Sequence, residues 1–191
     1  PTETNTKPST TATKPNQDNN IASNTKPTTS TPSNNTPVST NYKMSLTPEV
    51  QLISSNFSAN QGRLPWPVEK GFISSQYGKQ KHPLYPSVEV DNIGIDISTS
   101  AGAPVRAVFE GTVTRVTNID GIVVMVSHGE YFTIYAKLAN SNVKVGDKVK
   151  AKQVIGSAGR SDDGDNLMNF QVWKITGNSF NSINPNSWIA R

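Results

Sequence analysis

From Gly71 onward the chain is written in short apolar runs, none longer than Ile122–Val126, and most of them alternate with polar residues. Period-two alternation is the pattern of a strand with one face buried, and runs this short neither carry a helical stripe nor span a bilayer. Phe72–Gly78, Asp91–Ile97, Thr112–Val116, Ile122–Val126, Tyr131–Tyr135 and Phe170–Ile175 read as strand, with turn residues at Ser98–Pro104 and Glu110-Gly111, and Val143–Val149 carries a Gly-Asp turn at Gly146-Asp147. Ile122–Val126 and Tyr131–Tyr135 are expected to pair as a hairpin across Ser127-His128-Gly129-Glu130. The fold class that follows is all-β and antiparallel, a compact sandwich or barrel.

Residues 1–42 obey a different grammar. Of the first 40 residues, 30 are Thr, Pro, Asn or Ser, and Thr-Lys-Pro recurs at Thr6, Thr13 and Thr25. Isolated Ile21 and Val38 supply too little apolar surface to offset the entropy of ordering, so this stretch is expected to be a disordered spacer or stalk. Residues 43–62 read as a short helix and connector. Thr47 stands as N-cap, Pro48 at the first helical position and Glu49 beside it, with Val50, Ile53 and Phe57 on one face. Leu64-Pro65-Trp66-Pro67-Val68 holds the chain extended into the domain of residues 63–191.

Composition removes several chemistries. Without cysteine there are no disulfides, thiol nucleophiles, iron–sulfur centres or cysteine zinc sites. A net charge of +4 with no block of like charges gives no sign of nucleic-acid binding. The chain opens at Pro1, so an upstream signal or anchor is expected to have been removed, and membrane contact would come only through that region.

Asp96 is the conspicuous residue. It lies within Ile93-Gly94-Ile95-Asp96-Ile97, a strand that looks buried, where a carboxylate must be paired, hydrogen-bonded or metal-bound. The two histidines, His82 before a proline and His128 in a hairpin turn, have no i, i+2 or i, i+4 partner to form a metal site. His128 is expected to bond backbone in its turn. The acidic loop Arg160–Asn166 lacks the ligand spacing of an EF-hand and reads as a solvated hairpin tip. Trp66, Trp173 and Trp188 read as core or lid aromatics.

Val143–Gly156 follows the V-x-x-G-x-x-V-x-x-x-Q-x-I-G pattern of barrel-sandwich hybrids. Together with Asn92-Ile93-Gly94-Ile95-Asp96, then Tyr135-Ala136-Lys137-Leu138, then Leu167-Met168-Asn169-Phe170-Gln171, the order and spacing resemble the LytM/M23 peptidase family from about Trp66 to Trp188. Active members of that family carry H-x-G-x-D, Y-x-H-L and H-x-H-F-E at these places. The Leu-Pro-Trp-Pro-Val frame and the Asn184-Pro185-Asn186-Ser187-Trp188 ending look closest to the EnvC-like murein hydrolase activators of Bacteroidetes-type bacteria.

The resemblance implies that the zinc-ligand positions hold Asn92, Asp96 and Asn169, and that the two assisting-histidine positions hold Lys137 and Leu167. Carboxamides are poor zinc ligands beside imidazole, an ammonium repels the cation, and leucine transfers no proton. No cofactor is therefore expected, and an Asp96–Lys137 ion pair is expected to replace the metal. The implied protein is a non-catalytic LytM-like domain of the periplasm or cell envelope. Its degenerate groove, edged by Asn92, Asp96, Tyr135, Lys137, Leu167 and Asn169, would bind and activate an N-acetylmuramoyl-L-alanine amidase. Two alternatives stay open: an active M23 zinc endopeptidase, and a module that holds peptidoglycan without hydrolysing it.

Overall fold

The computed structural model describes residues 47–81, 87–161 and 164–191. The Thr/Pro-rich stretch of residues 1–42, the His82-Pro83 loop and Asp162-Asp163 lie outside the described residues.

Helix α1 spans Pro48–Ala59, and Thr47 caps it by accepting the Val50 N–H at 3.4 Å. Its ridge is Ser54 and Phe57, with Val50 and Ile53 only half-buried. The strands follow as β1 (Phe72–Ser75), β2 (Gly78–Lys81), β3 (Glu89–Asn92), β4 (Ile95–Ser98), β5 (Pro104–Arg106) and β6 (Gly111–Asn118). After them come β7 (Ile122–His128), β8 (Tyr131–Ser141), β9 (Lys148–Val149), β10 (Val154–Arg160), β11 (Asn166–Thr176) and β12 (Ser179–Ile183). A 3-10 turn, Pro185–Ser187, leads into buried Trp188 and Ile189.

Ten of these strands form one sheet in the order β1-β4-β11-β10-β8-β7-β6-β9, with β12 on β11 and β5 on β10, and β2–β3 is a separate hairpin. Strand β11 is the hub. Along one edge it meets β10 and then β8, and along the other β4 and then β12. One face of the sheet is the core, filled by Ile95, Ile97, Val124, Val126, Phe170 and Val172. The other face of β11 holds Leu167, Asn169, Gln171 and Trp173, by strand alternation.

Two expectations need correction here. The strand expected at Ile93–Ile97 begins only at Ile95, and Ile93 is 47% exposed, because the chain turns between β3 and β4. His128 is not in the turn: it ends β7, fully buried, and the loop is the two residues Gly129-Glu130. Of the tryptophans read as core or lid, Trp173 lies on the outer face, stacked on Phe180 with ring centroids 4.7 Å apart. Trp188 does enter the core, against Phe57 and Tyr131.

Candidate functional site

Pairing of β4 with β11 sets Asn169 directly opposite Asp96, and β11 with β8 sets Asn169 opposite Ala136. Directly opposed residues share a face with Cβ atoms about 4.5–5.5 Å apart, so the register alone brings the two side chains together. Asn92 ends β3, and its Oδ1 accepts the Gly94 N–H at 3.0 Å, which folds the carboxamide back over the turn.

Lys137 reaches the same place by a different device. Ile122 pairs with Leu138 but Val124 pairs with Tyr135, so β8 carries one extra residue, and Lys137 sits in the left-handed region at φ 58°. Such a bulge re-aims a side chain. Two glycines fit around it: a Cβ on Gly159 would overlap the Lys137 carbonyl, and one on Gly121 would press on the Lys137 Cα. A cleft of about 380 Å³ opens beside it, lined by Asp120, Gly121, Lys137, Leu138, Gly159 and Arg160 among others.

The result is a continuous hydrogen-bonded ladder. Trp173 Nε1 donates to Gln171 Oε1 at 2.8 Å, and Gln171 Nε2 donates to Asn169 Oδ1 at 2.8 Å. Asn169 Nδ2 then donates to Asp96 Oδ1 at 2.8 Å and to Asn92 Oδ1 at 3.1 Å. Asn92 Nδ2 completes it, donating to Asp96 Oδ2 at 3.4 Å and Ser75 Oγ at 3.2 Å. Lys137 Nζ stands 3.8 Å from Asp96 Oδ1, an ion pair longer than a hydrogen bond, with the lysine side chain 35% and the aspartate 16% exposed. Both carboxylate oxygens thus face amide N–H groups, which cannot ligate a cation. Among the described residues there is no cluster of three or more His, Asp or Glu side chains.

The structure gathers Asn92, Asp96, Lys137 and Asn169 at one point. Leu167 lies on the same face of β11 but is nearly closed off at 9% exposure. Tyr135 is a correction. It is fully buried on the core face, its hydroxyl accepting the Val108 N–H at 2.9 Å and its pKa pushed up to about 12 by burial, so it edges no groove. His128 is equally remote from the groove. Its Nδ1 lies 2.6 Å from the Glu110 carbonyl and its Nε2 2.8 Å from Thr133 Oγ1, and burial lowers its pKa to about 4. Gln171 and Trp173 were not among the groove residues named from the sequence. The signal was the hydrogen-bonding side chains at i, i+2 and i+4 from Asn169, which strand alternation places on one face.

Residues 91–185 match the family described as Peptidase family M23. The chain carries a LytM/M23-like domain. An uncharacterized protein of Neisseria meningitidis, NMB1333, is 35% identical over 149 residues, which is 74% of this chain and 23% of that protein. The chain therefore spans under a quarter of that relative. A zinc-containing peptidase from Vibrio cholerae superposes with a TM-score of 0.56 at 29% identity, covering 69% of this chain and 41% of that one. SpoIIQ, solved in the SpoIIQ–SpoIIIAH pore-forming complex, shares the fold with a TM-score of 0.56 at 24% identity, over 68% of this chain and 92% of that one.

Proposed function

We propose that this M23-like domain acts by binding and not by hydrolysis, as an EnvC-like activator of a peptidoglycan amidase in the cell envelope. One observation carries the reading. The three positions that the family resemblance makes zinc ligands hold Asn92, Asp96 and Asn169, and these bond one another through amide hydrogens directed at the carboxylate. A cation entering there would have to break those bonds and accept carboxamide oxygens in place of imidazole. The two assisting positions hold Lys137 and Leu167, which supply neither a general base nor a neutral donor for an oxyanion.

What remains is a strand face bearing the ladder, a cation at Lys137 and the aromatic pair Trp173–Phe180. Such a face suits an amphipathic helix held by a few apolar anchors and polar contacts. Asn92, Lys137, Leu167 and Asn169 are its proposed contacts, and residues 1–42 the proposed tether. That an M23-like fold serves a protein complex in SpoIIQ supports partnering of this kind.

The test is release of dye from labelled sacculi by a candidate amidase, with and without this chain. The amidase should be stimulated, and stimulation should disappear in Lys137→Glu. Hydrolysis of sacculi by the chain alone, with stoichiometric bound zinc, would establish the metallopeptidase instead. Sedimentation with sacculi but no stimulation would leave the peptidoglycan-holding module.

A further inference from the structure

The connection from β8 to β10 carries four lysines in a short space: Lys144, Lys148, Lys150 and Lys152, all exposed. Among the described residues none of them has an ion-pair partner, the one recorded pair being Lys137–Asp96. The acid within the stretch, Asp147, holds the bend, its Oδ2 accepting the Lys144 N–H at 3.0 Å. Glu110, exposed where β6 begins opposite Val149, makes no ion pair with them either.

The lysines are displayed by a fixed frame. Val149 is buried, so strand alternation sends Lys148 and Lys150 outward together. The bend is clamped to β6 by Gly146 N–H to the Val113 carbonyl and Val113 N–H to the Asp147 carbonyl, both 2.8 Å. Its tip is apolar: Val145 is 59% exposed between Lys144 and Lys148, and Val154 further along is 42% exposed.

Position adds a second argument. The bend pairs with Gly111 and Thr112 at the start of β6, whereas Lys137 lies beside the far end, where Asn118 meets Ile122 and Ile122 meets Leu138. Seven residues of strand put the two roughly 23 Å apart at about 3.3 Å per residue. Helix α1, by which the chain enters the fold, packs at the bend's end: a Cβ on Gly129 would strike Ser54, and one on Gly111 would strike His128.

We propose that this lysine-ringed bend docks the domain on an anionic phospholipid bilayer, with the groove facing away from the membrane. The lysines supply attraction to acidic headgroups, and Val145 supplies an apolar tip that gains only if it enters an interface. A soluble polyanion would use the charges and ignore the valine. The contact is made by the folded domain itself, in addition to any anchor upstream, and it is independent of what the groove binds.

The whole chain is to be sedimented with vesicles of phosphatidylcholine alone, or mixed two to one with phosphatidylglycerol. Binding is expected to the mixed vesicles only and to fade as salt rises. Each lysine is worth roughly fivefold in partition, so Lys144→Glu, Lys148→Glu and Lys150→Glu combined should abolish sedimentation, and Lys148→Glu alone should weaken it clearly more than Arg115→Glu, the same single charge reversal placed on β6 outside the bend. Val145→Ser should weaken vesicle binding and leave retention on heparin unchanged. Circular dichroism confirms that each variant is folded. No binding to the mixed vesicles overturns the proposal, as does equal loss in Arg115→Glu and Lys148→Glu. Vesicle binding indifferent to Val145→Ser overturns it in favour of a soluble polyanion.

Discussion

Asp96 is held mainly by carboxamides. Asn169 Nδ2 approaches to 2.8 Å, while Lys137 Nζ stays at 3.8 Å and its side chain is 35% exposed. Removing one partner of a buried charged acceptor costs about 2 kcal/mol, and Asn169→Ala also strands the Gln171 amide that donates to it. A solvent-screened pair at the lysine's distance is worth under about 1 kcal/mol. Urea unfolding should therefore rank Asn169→Ala well above Lys137→Met in cost. The reverse order would return the main role to the ion pair, as the sequence alone had it. The same site gives a gain-of-function test. Asn92→His with Asn169→His, beside the native Asp96, supplies two imidazoles and a carboxylate, the donor set of a catalytic zinc site. Titration calorimetry should find tight zinc binding in the double variant and none in the parent. A double variant that stays folded and ignores zinc would show that these three positions do not converge as described.

At the scale of elements, α1 and β7 depend on each other through His128. Phe57 stacks on the His128 ring with centroids 4.7 Å apart, and also on Tyr131 and Trp188. Burial holds His128 neutral, with its pKa lowered from 6.5 to about 4. The unfolded chain then binds more protons than the folded one between those values, so stability falls as the pH drops from about 6.5 toward 4. The full loss is roughly 3 kcal/mol at 1.36 kcal/mol per pKa unit. Melting curves from pH 7 to 4.5 should show this decline, and His128→Gln should flatten it; an unchanged slope in that variant would assign the acid sensitivity elsewhere. The α1 boundary was legible because Thr47, Pro48 and Glu49 are local signals. The burial of His128 was not, since nothing near it in sequence announces Phe57 or the Glu110 carbonyl. The β8 bulge was equally hidden. Tyr135 and Lys137 stand two apart and read as one face, but the left-handed Lys137 sends them to opposite faces, one into the core and one toward Asp96.

For the folded domain as a whole, the class followed from period-two alternation, which each strand carries in its own residues. The register that aligns Asn169 with Asp96 and with Ala136 is set by pairing between segments far apart in sequence, and it surfaced only through the spacing of the family-like motifs. That architecture separates two stabilising centres. The ladder occupies the outer face of β11 at Asn169, whereas the Phe57 cluster sits on the core face near Tyr131, which pairs with Lys174 five residues along β11. At about 3.3 Å per residue the two are roughly 16 Å apart along the strand, on opposite sides of the sheet. Phe57→Ala should cost about 3–5 kcal/mol by opening a cavity among stacked rings. Substitutions this far apart with no shared partner add to within about 0.5 kcal/mol. The unfolding free energy of Phe57→Ala combined with Asn169→Ala should therefore equal the sum of the single losses. The comparison requires a wild type stable enough for the double variant to fold, which urea titration of the parent establishes first. A coupling above 1 kcal/mol would mean that α1 and the groove communicate through β11, and that a partner docking in the groove would be felt at the helix.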